Sequence, residues 1–195
     1  MTWFKDELGK RLIVKVRAVL GPRRDLGDVQ EVTCLNRILR WCGRDHLGDT
    51  RIEYEADSRH CEIFLKQLGL TEKSRNLSSP GHKTQGNWMD GDEISPERRK
   101  AYRSMCMRLA YLASDRPELQ CPSKEAARLM QRPTLLGEQM LNTAGRSLVG
   151  APRLVVKYEK QRPQKYVDMY CDSNHAGCTQ TRKGSTGTTA MIGSH

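Results

Sequence analysis

Bulky apolar side chains are scarce in this chain. Its 195 residues include only two phenylalanines and three tryptophans, and Leu, Ile, Val and Phe together make up less than a fifth of the whole. With a formal net charge of +10, that composition lies at the border where chains bury enough apolar surface to offset the entropy of ordering. Such a chain is expected as a piece of a larger protein. No apolar run approaches the roughly 18 residues of a membrane span, and no signal peptide is recognisable at the start. The seven cysteines are odd in number and scattered, with no Cys-x-x-Cys pair. They indicate a reducing compartment, cytoplasmic or nuclear, in which the sequon at Asn76 has no meaning.

Acidic residues are missing from two stretches. Arg98, Arg99, Lys100, Arg103 and Arg108 follow one another with no acid between them, and Arg146, Arg153, Lys157, Lys160, Arg162 and Lys165 are opposed only by Glu159. Stripes of this kind suit a polyphosphate partner, although a solvated face alone also accounts for them. A low-specificity contact with nucleic acid is the expectation.

Hydrophobic periodicity orders the rest. Leu12, Val14, Val16, Ala18 and Leu20 alternate with partly charged neighbours, which predicts a strand ended by Gly21 and Pro22. A second strand is expected within Val32 to Trp41, a turn over Gly43 to Asp49, and a third strand at Ile52 and Tyr54, giving an antiparallel meander. Asp57 is placed as an N-cap, and Cys61, Leu65 and Leu68 recur at helical spacing to a Schellman end at Gly69 and Leu70. A polar linker over 73–95 precedes three helices. The first starts at Ser95 and Pro96 with Ala101, Tyr102, Met105, Leu109, Leu112 and Ala113 inward. The second covers Ser123 to Gln131, with Ala126, Leu129 and Met130 inward. The third covers Thr134 to Leu148 with Met140, Leu141, Ala144 and Leu148 inward, weakened by Gly137 and Gly145. Finally Val167, Met169 and Cys171 alternate with polar neighbours, which puts Asp172 at the end of a strand, and the run from Thr188 to Ile192 is placed antiparallel beside it. The fold class is α+β.

A carboxylate on a strand end followed by a tight turn suits an oxygen ligand for Mg2+. Other chemistry is weakly supported. Cys171, His175 and Cys178 offer three soft ligands where structural zinc wants four, and the run from Gly184 to Gly187 lacks the remainder of a phosphate loop. Asp90, Asp92 and Glu93 lack the spacing of a calcium loop and read as a solvated turn, while His60 reads as a polar surface group in the first turn of a helix.

The run DSNHAGCTQTRKGSTG from Asp172 to Gly187 resembles the opening of the ribonuclease H domain in copia-type retrotransposon Pol polyproteins. The family reads aspartate, any residue, aspartate, tryptophan, alanine, glycine, then a basic and serine-rich turn. Here Asn174 stands for the second aspartate, His175 for the tryptophan, and Gly184 departs within the turn. The stretch from Tyr54 to Leu70 resembles the strand and helix after the catalytic aspartates of copia-type reverse transcriptases. Tyr102 to Ser104, Leu109 to Ala113, Asp115 to Glu118, Pro133 with Thr134, and Gly145 with Arg146 are similar to the region joining the two enzymes. There Ser147 replaces a tyrosine, and Asn142 with Thr143 replaces a basic pair.

The resemblance implies four segments: 1–72 as the end of a reverse transcriptase palm and thumb-like region, 73–95 as linker, 96–165 as helical connection, and 166–195 as an incomplete ribonuclease H-like hairpin. It implies that Asp172 stands at the family's first metal-binding aspartate, with Mg2+ as the family's cofactor. The polymerase signature is expected upstream of Met1, and the further ribonuclease H carboxylates beyond His195. The expected capacity is RNA/DNA hybrid or duplex binding without catalysis, no membrane contact, and association through an exposed sheet edge. The alternative is a free-standing basic nucleic-acid-binding or interaction module adopted by a host.

Overall fold

A computed structural model describes residues 2–43, 50–81, 91–175 and 182–195. The chain is mixed α and β and divides into two compact units, residues 1–54 with 156–160, and 55–155 with 161–195. Among the described residues no helix is long and apolar enough to cross a membrane.

The first unit opens with helix α1 (Thr2–Gly9) and is built on an antiparallel sheet of four strands in the order β1 (Glu31–Cys34), β2 (Arg37–Cys42), β3 (Arg51–Glu55) and β4 (Val155–Glu159). The expected single strand within Val32 to Trp41 is instead a hairpin. β1 and β2 pair from Glu31 opposite Arg40 to Cys34 opposite Arg37, and the two turn residues, Leu35 and Asn36, have φ of 51° and 62°. Two consecutive left-handed residues form the turn whose twist matches that of paired strands. The strand expected from Leu12 to Leu20 does not form. Leu20 makes one parallel bridge to Val29, no strand pairs with residues 12–19, and Leu12 and Ile13 are exposed. Alternation describes a face that a sheet can bury; without a partner strand the backbone amides gain nothing from extension. The turn expected over 44–49 lies outside the described residues.

The second unit holds the core. Helix α2 (Arg59–Gln67) begins beside Asp57, whose buried carboxylate accepts the Arg59 backbone N–H at 3.0 Å and pairs with the Arg59 guanidinium. It ends with Gly69 at φ 68°, where the Leu70 N–H reaches the Leu65 carbonyl at 2.9 Å and the Gly69 N–H the Lys66 carbonyl at 3.1 Å. That is the Schellman geometry. α3 (Pro96–Ala113) buries Tyr102, Met105, Cys106, Leu109, Leu112 and Ala113, a strip at spacings of three and four; Ala101 is exposed and Cys106 takes the inward place.

A 3-10 turn at Pro117–Leu119 leads into α4 (Gln120–Arg128), which starts three residues before the expected Ser123. α5 (Leu135–Gly150) is capped by the Thr134 hydroxyl, which accepts the Gly137 N–H at 3.2 Å. Its two glycines permit close approach. A Cβ at Gly137 would lie 2.7 Å from the Tyr102 hydroxyl, and one at Gly145 2.8 Å from Leu70 Cδ1. Phe64, Tyr102, Leu109, Leu119, Leu129, Leu141 and Leu148 fill the interior that these helices enclose. Part of the expected linker, residues 82–90, lies outside the described residues.

The chain closes with β5 (Asp168–Asn174) and β6 (Ser185–Met191), an antiparallel pair forming its own two-stranded sheet. Asp172 lies opposite Gly187.

Candidate nucleic-acid interface

Asp172 is fixed by the hairpin register. Asn174 closes the ladder next to it, its Oδ1 accepting the Ser185 backbone N–H at 2.6 Å, and on the opposite face of the hairpin the Thr188 hydroxyl lies 3.8 Å from Cys171 Sγ. β5 is exposed along its length. The residue across from Asp172 has no side chain, and even a Cβ at position 187 would meet only the Asp172 carbonyl, at 4.0 Å. Nothing on β6 shields the carboxylate.

One side of the hairpin faces α4. Asp172, Asn174, Ser185, Thr186 and Gly187 line an open cavity of about 430 Å³ together with Pro117, Gln120, Cys121 and Lys124. The Lys124 ammonium donates to the Ser185 hydroxyl, which ties helix to hairpin. The described lining thus offers one carboxylate, two carboxamides, hydroxyls, a thiol and an ammonium. Mg2+ demands octahedral oxygen coordination and usually more than one anionic partner. A single carboxylate with an ammonium in the same cavity does not meet that demand. Cys171 and His175 sit on this hairpin and its turn, while Cys178 lies outside the described residues. Among those described, no three His, Cys, Asp or Glu side chains gather into a metal-sized group.

The cationic residues of α3 do not share one face. At about 100° per residue, positions 98, 99, 100, 103 and 108 point in several directions around the helix axis. Arg98 pairs with Glu138 of α5, and Arg99 with Glu93 at 2.8 Å. Arg108 is half-buried, its Nη1 lying 3.4 Å from Nδ1 of His60, whose ring packs 4.2 Å from that of Tyr111. His60 is therefore a packing group between α2 and α3 more than a solvated one. Lys100 and Arg103 stand exposed, with Arg103 Nε donating to the Met130 carbonyl at 2.9 Å.

The later cations separate as well. Arg146 is exposed on α5 in the second unit, and Lys157 is exposed on β4 in the first. Arg153 forms an ion pair with Glu55 through both carboxylate oxygens. Two cations absent from the sequence reading join the picture, Lys124 at the hairpin and Arg132, which pairs with Glu93 at 2.6 Å. Neither lies within a basic run, so spacing along the chain gave no signal. The turn of Asp90, Asp92 and Glu93, expected to be solvated, is not simply so: Glu93 pairs with Arg99 and Arg132, and Asp90 lies outside the described residues. No protein-family model matches the chain, no curated protein matches it in sequence, and no solved structure matches it in fold.

Proposed function

We propose that this chain is the part of a copia-type retroelement polyprotein where reverse transcriptase passes into ribonuclease H, and that it holds nucleic-acid backbone. The observation that carries this reading is the uncovered Asp172 on a hairpin whose sequence resembles the opening of the ribonuclease H domain, with Gly187 across from it and Lys124 of the helical block beside it. A two-stranded sheet whose residues are largely exposed is marginal by itself and is the kind of element that larger sheets extend. The exposed Lys100 and Arg103, and a net charge of +10, supply attraction for phosphates without base contacts. Asp172 in this reading is the first of several carboxylates that hydrolysis requires, and binding does not depend on it.

The test is fluorescence anisotropy of a labelled RNA/DNA hybrid with the full chain between about 50 and 200 mM salt, the range over which phosphate contacts weaken steeply. Binding should be indifferent to sequence, with a log-log slope near −0.9 for each phosphate neutralised. Lys100→Ala and Arg103→Ala should each flatten that slope by about one contact. Binding that ignores salt, or that prefers one sequence over its scramble, overturns the proposal. Cleavage of the hybrid in Mg2+ that disappears on Asp172→Asn would show a complete hydrolytic site instead.

A further inference from the structure

Away from the hairpin, one carboxylate is shared by two guanidinium groups. Residues 92–94 run beside 133–135: Glu93 bridges antiparallel with Thr134, the Ile94 N–H donates to the Pro133 carbonyl at 3.0 Å, and the Leu135 N–H to the Asp92 carbonyl at 2.9 Å. Ile94 and Thr134 are buried and anchor both segments in the core. The pairing holds the Glu93 backbone still while its side chain stays over a third exposed. Its Oε2 accepts from Arg99 Nη2 at 2.8 Å and its Oε1 from Arg132 Nε at 2.6 Å. One helical turn after Arg99, Arg103 is exposed with its Nε committed to Met130. Three guanidinium groups and one carboxylate leave an excess of positive charge at this corner.

We infer that Arg99, Arg103 and Arg132 form a docking site for successive phosphates of a nucleic-acid strand, in which Glu93 is a built-in competitor that holds two of the arginines until the strand displaces it. The inference rests on the nucleic-acid reading above and adds to it a residue, Arg132, and a control, Glu93. A guanidinium fork matches phosphate oxygens as well as it matches a carboxylate. Arg99 and Arg132 are exposed enough that their ion pairs with Glu93 are weak. A phosphate therefore replaces the carboxylate at little loss, which a buried pair would not allow. Arg99 and Arg103 stand about 6 Å apart along the helix axis, on the order of the distance between neighbouring phosphates of one strand. That regular spacing favours a polymer with one charge per repeat over an acidic peptide.

The full chain is titrated with a labelled RNA/DNA hybrid, with inorganic polyphosphate and with polyglutamate across a salt series. Glu93→Gln should tighten hybrid binding several-fold, and Arg132→Ala should weaken it by a similar factor and flatten the salt slope by about 0.9, one phosphate contact. The double variant should return close to the wild type, because Arg99 is then left without its competitor. A folding defect would instead lower binding in both single variants and further in the double, and that pattern overturns the proposal. So does a Glu93→Gln chain that binds the hybrid no better than the wild type while the wild type binds it. If polyphosphate binds, tightened by Glu93→Gln, and the hybrid does not, the site stands as a phosphate site and the nucleic-acid reading falls. Tighter capture of polyglutamate than of either phosphate polymer reassigns the partner to an acidic protein and overturns the phosphate docking. No binding to any probe overturns both readings.

Discussion

The Tyr102 hydroxyl donates a 2.8 Å hydrogen bond to the Ala126 carbonyl, joining α3 to α4 at a place with no access to water. The same carbonyl accepts the Leu129 N–H at 3.2 Å and lies 3.6 Å from Cys106 Sγ, so it keeps a partner if the hydroxyl is lost. Tyr102→Phe should therefore cost only about 1 kcal/mol, the net worth of one hydrogen bond. Gly137→Ala is the more damaging change, because its Cβ would meet that hydroxyl at 2.7 Å and Leu129 Cδ1 at 3.0 Å. Overpacking of about 1–3 kcal/mol outweighs the gain of about 1 kcal/mol that alanine brings to a helix interior. In a Tyr102→Phe background the penalty should shrink, a non-additivity that urea unfolding of the two single variants and the double measures directly.

Burial raises the Cys106 thiol from its ordinary 9.0 to about 11, and pushes the neighbouring Tyr102 phenol up as well. An acid whose folded value is raised keeps its proton longer in the native state than in the unfolded chain. Its contribution is intact below pH 9 and is lost as the pH climbs towards 11. Stability should fall across that window, and Cys106→Ala should make the fall shallower even though the cavity lowers stability at neutral pH. Urea midpoints taken at half-unit steps from pH 8 to about 11.5 decide the matter; an identical slope in the variant rejects it.

Leu35, at φ 51°, holds a left-handed conformation that branched and bulky side chains resist, and its side chain is exposed. Leu35→Asn should stabilise the β1–β2 hairpin by roughly 1 kcal/mol, since asparagine tolerates this region and no packing is lost. Hydrogen exchange of the strand amides is the measurement, with slower exchange expected at the amides paired between β1 and β2. Unchanged exchange would mean that the turn is not what limits opening of this hairpin.

The helical block was legible because local rules and tertiary packing agree there. The Gly69 stop, the start at Ser95 and Pro96, and the strip from Tyr102 to Ala113 each follow from patterns a few residues long. Even within that strip Ala101 and Cys106 exchanged roles, because two small side chains at the margin of a face carry little periodic signal. The first unit was less legible. A turn of Leu35 and Asn36 lacks the glycine that usually marks a hairpin, so two strands read as one, and Leu12 to Leu20 alternates without a strand to pair with. β4 was missed because its residues read as part of a basic run. The corner formed by Glu93, Arg99 and Arg132 was out of reach, since Arg132 lies 39 residues from its carboxylate. Asp172 was placed on its strand by alternation, but the approach of Lys124 to Ser185 needed the structure.

Among the described residues every buried hydrophobic side chain falls between Ala56 and Leu148, while the strands β1 and β2 bury none completely. The heat capacity gained on unfolding follows the apolar area newly wetted. A calorimeter therefore hears the helices and is nearly deaf to the first unit and to the β5–β6 hairpin. Exchange or spectroscopic probes placed on those strands should report loss of structure at lower temperature than the calorimetric peak, so a single melting temperature is not a property of this whole chain.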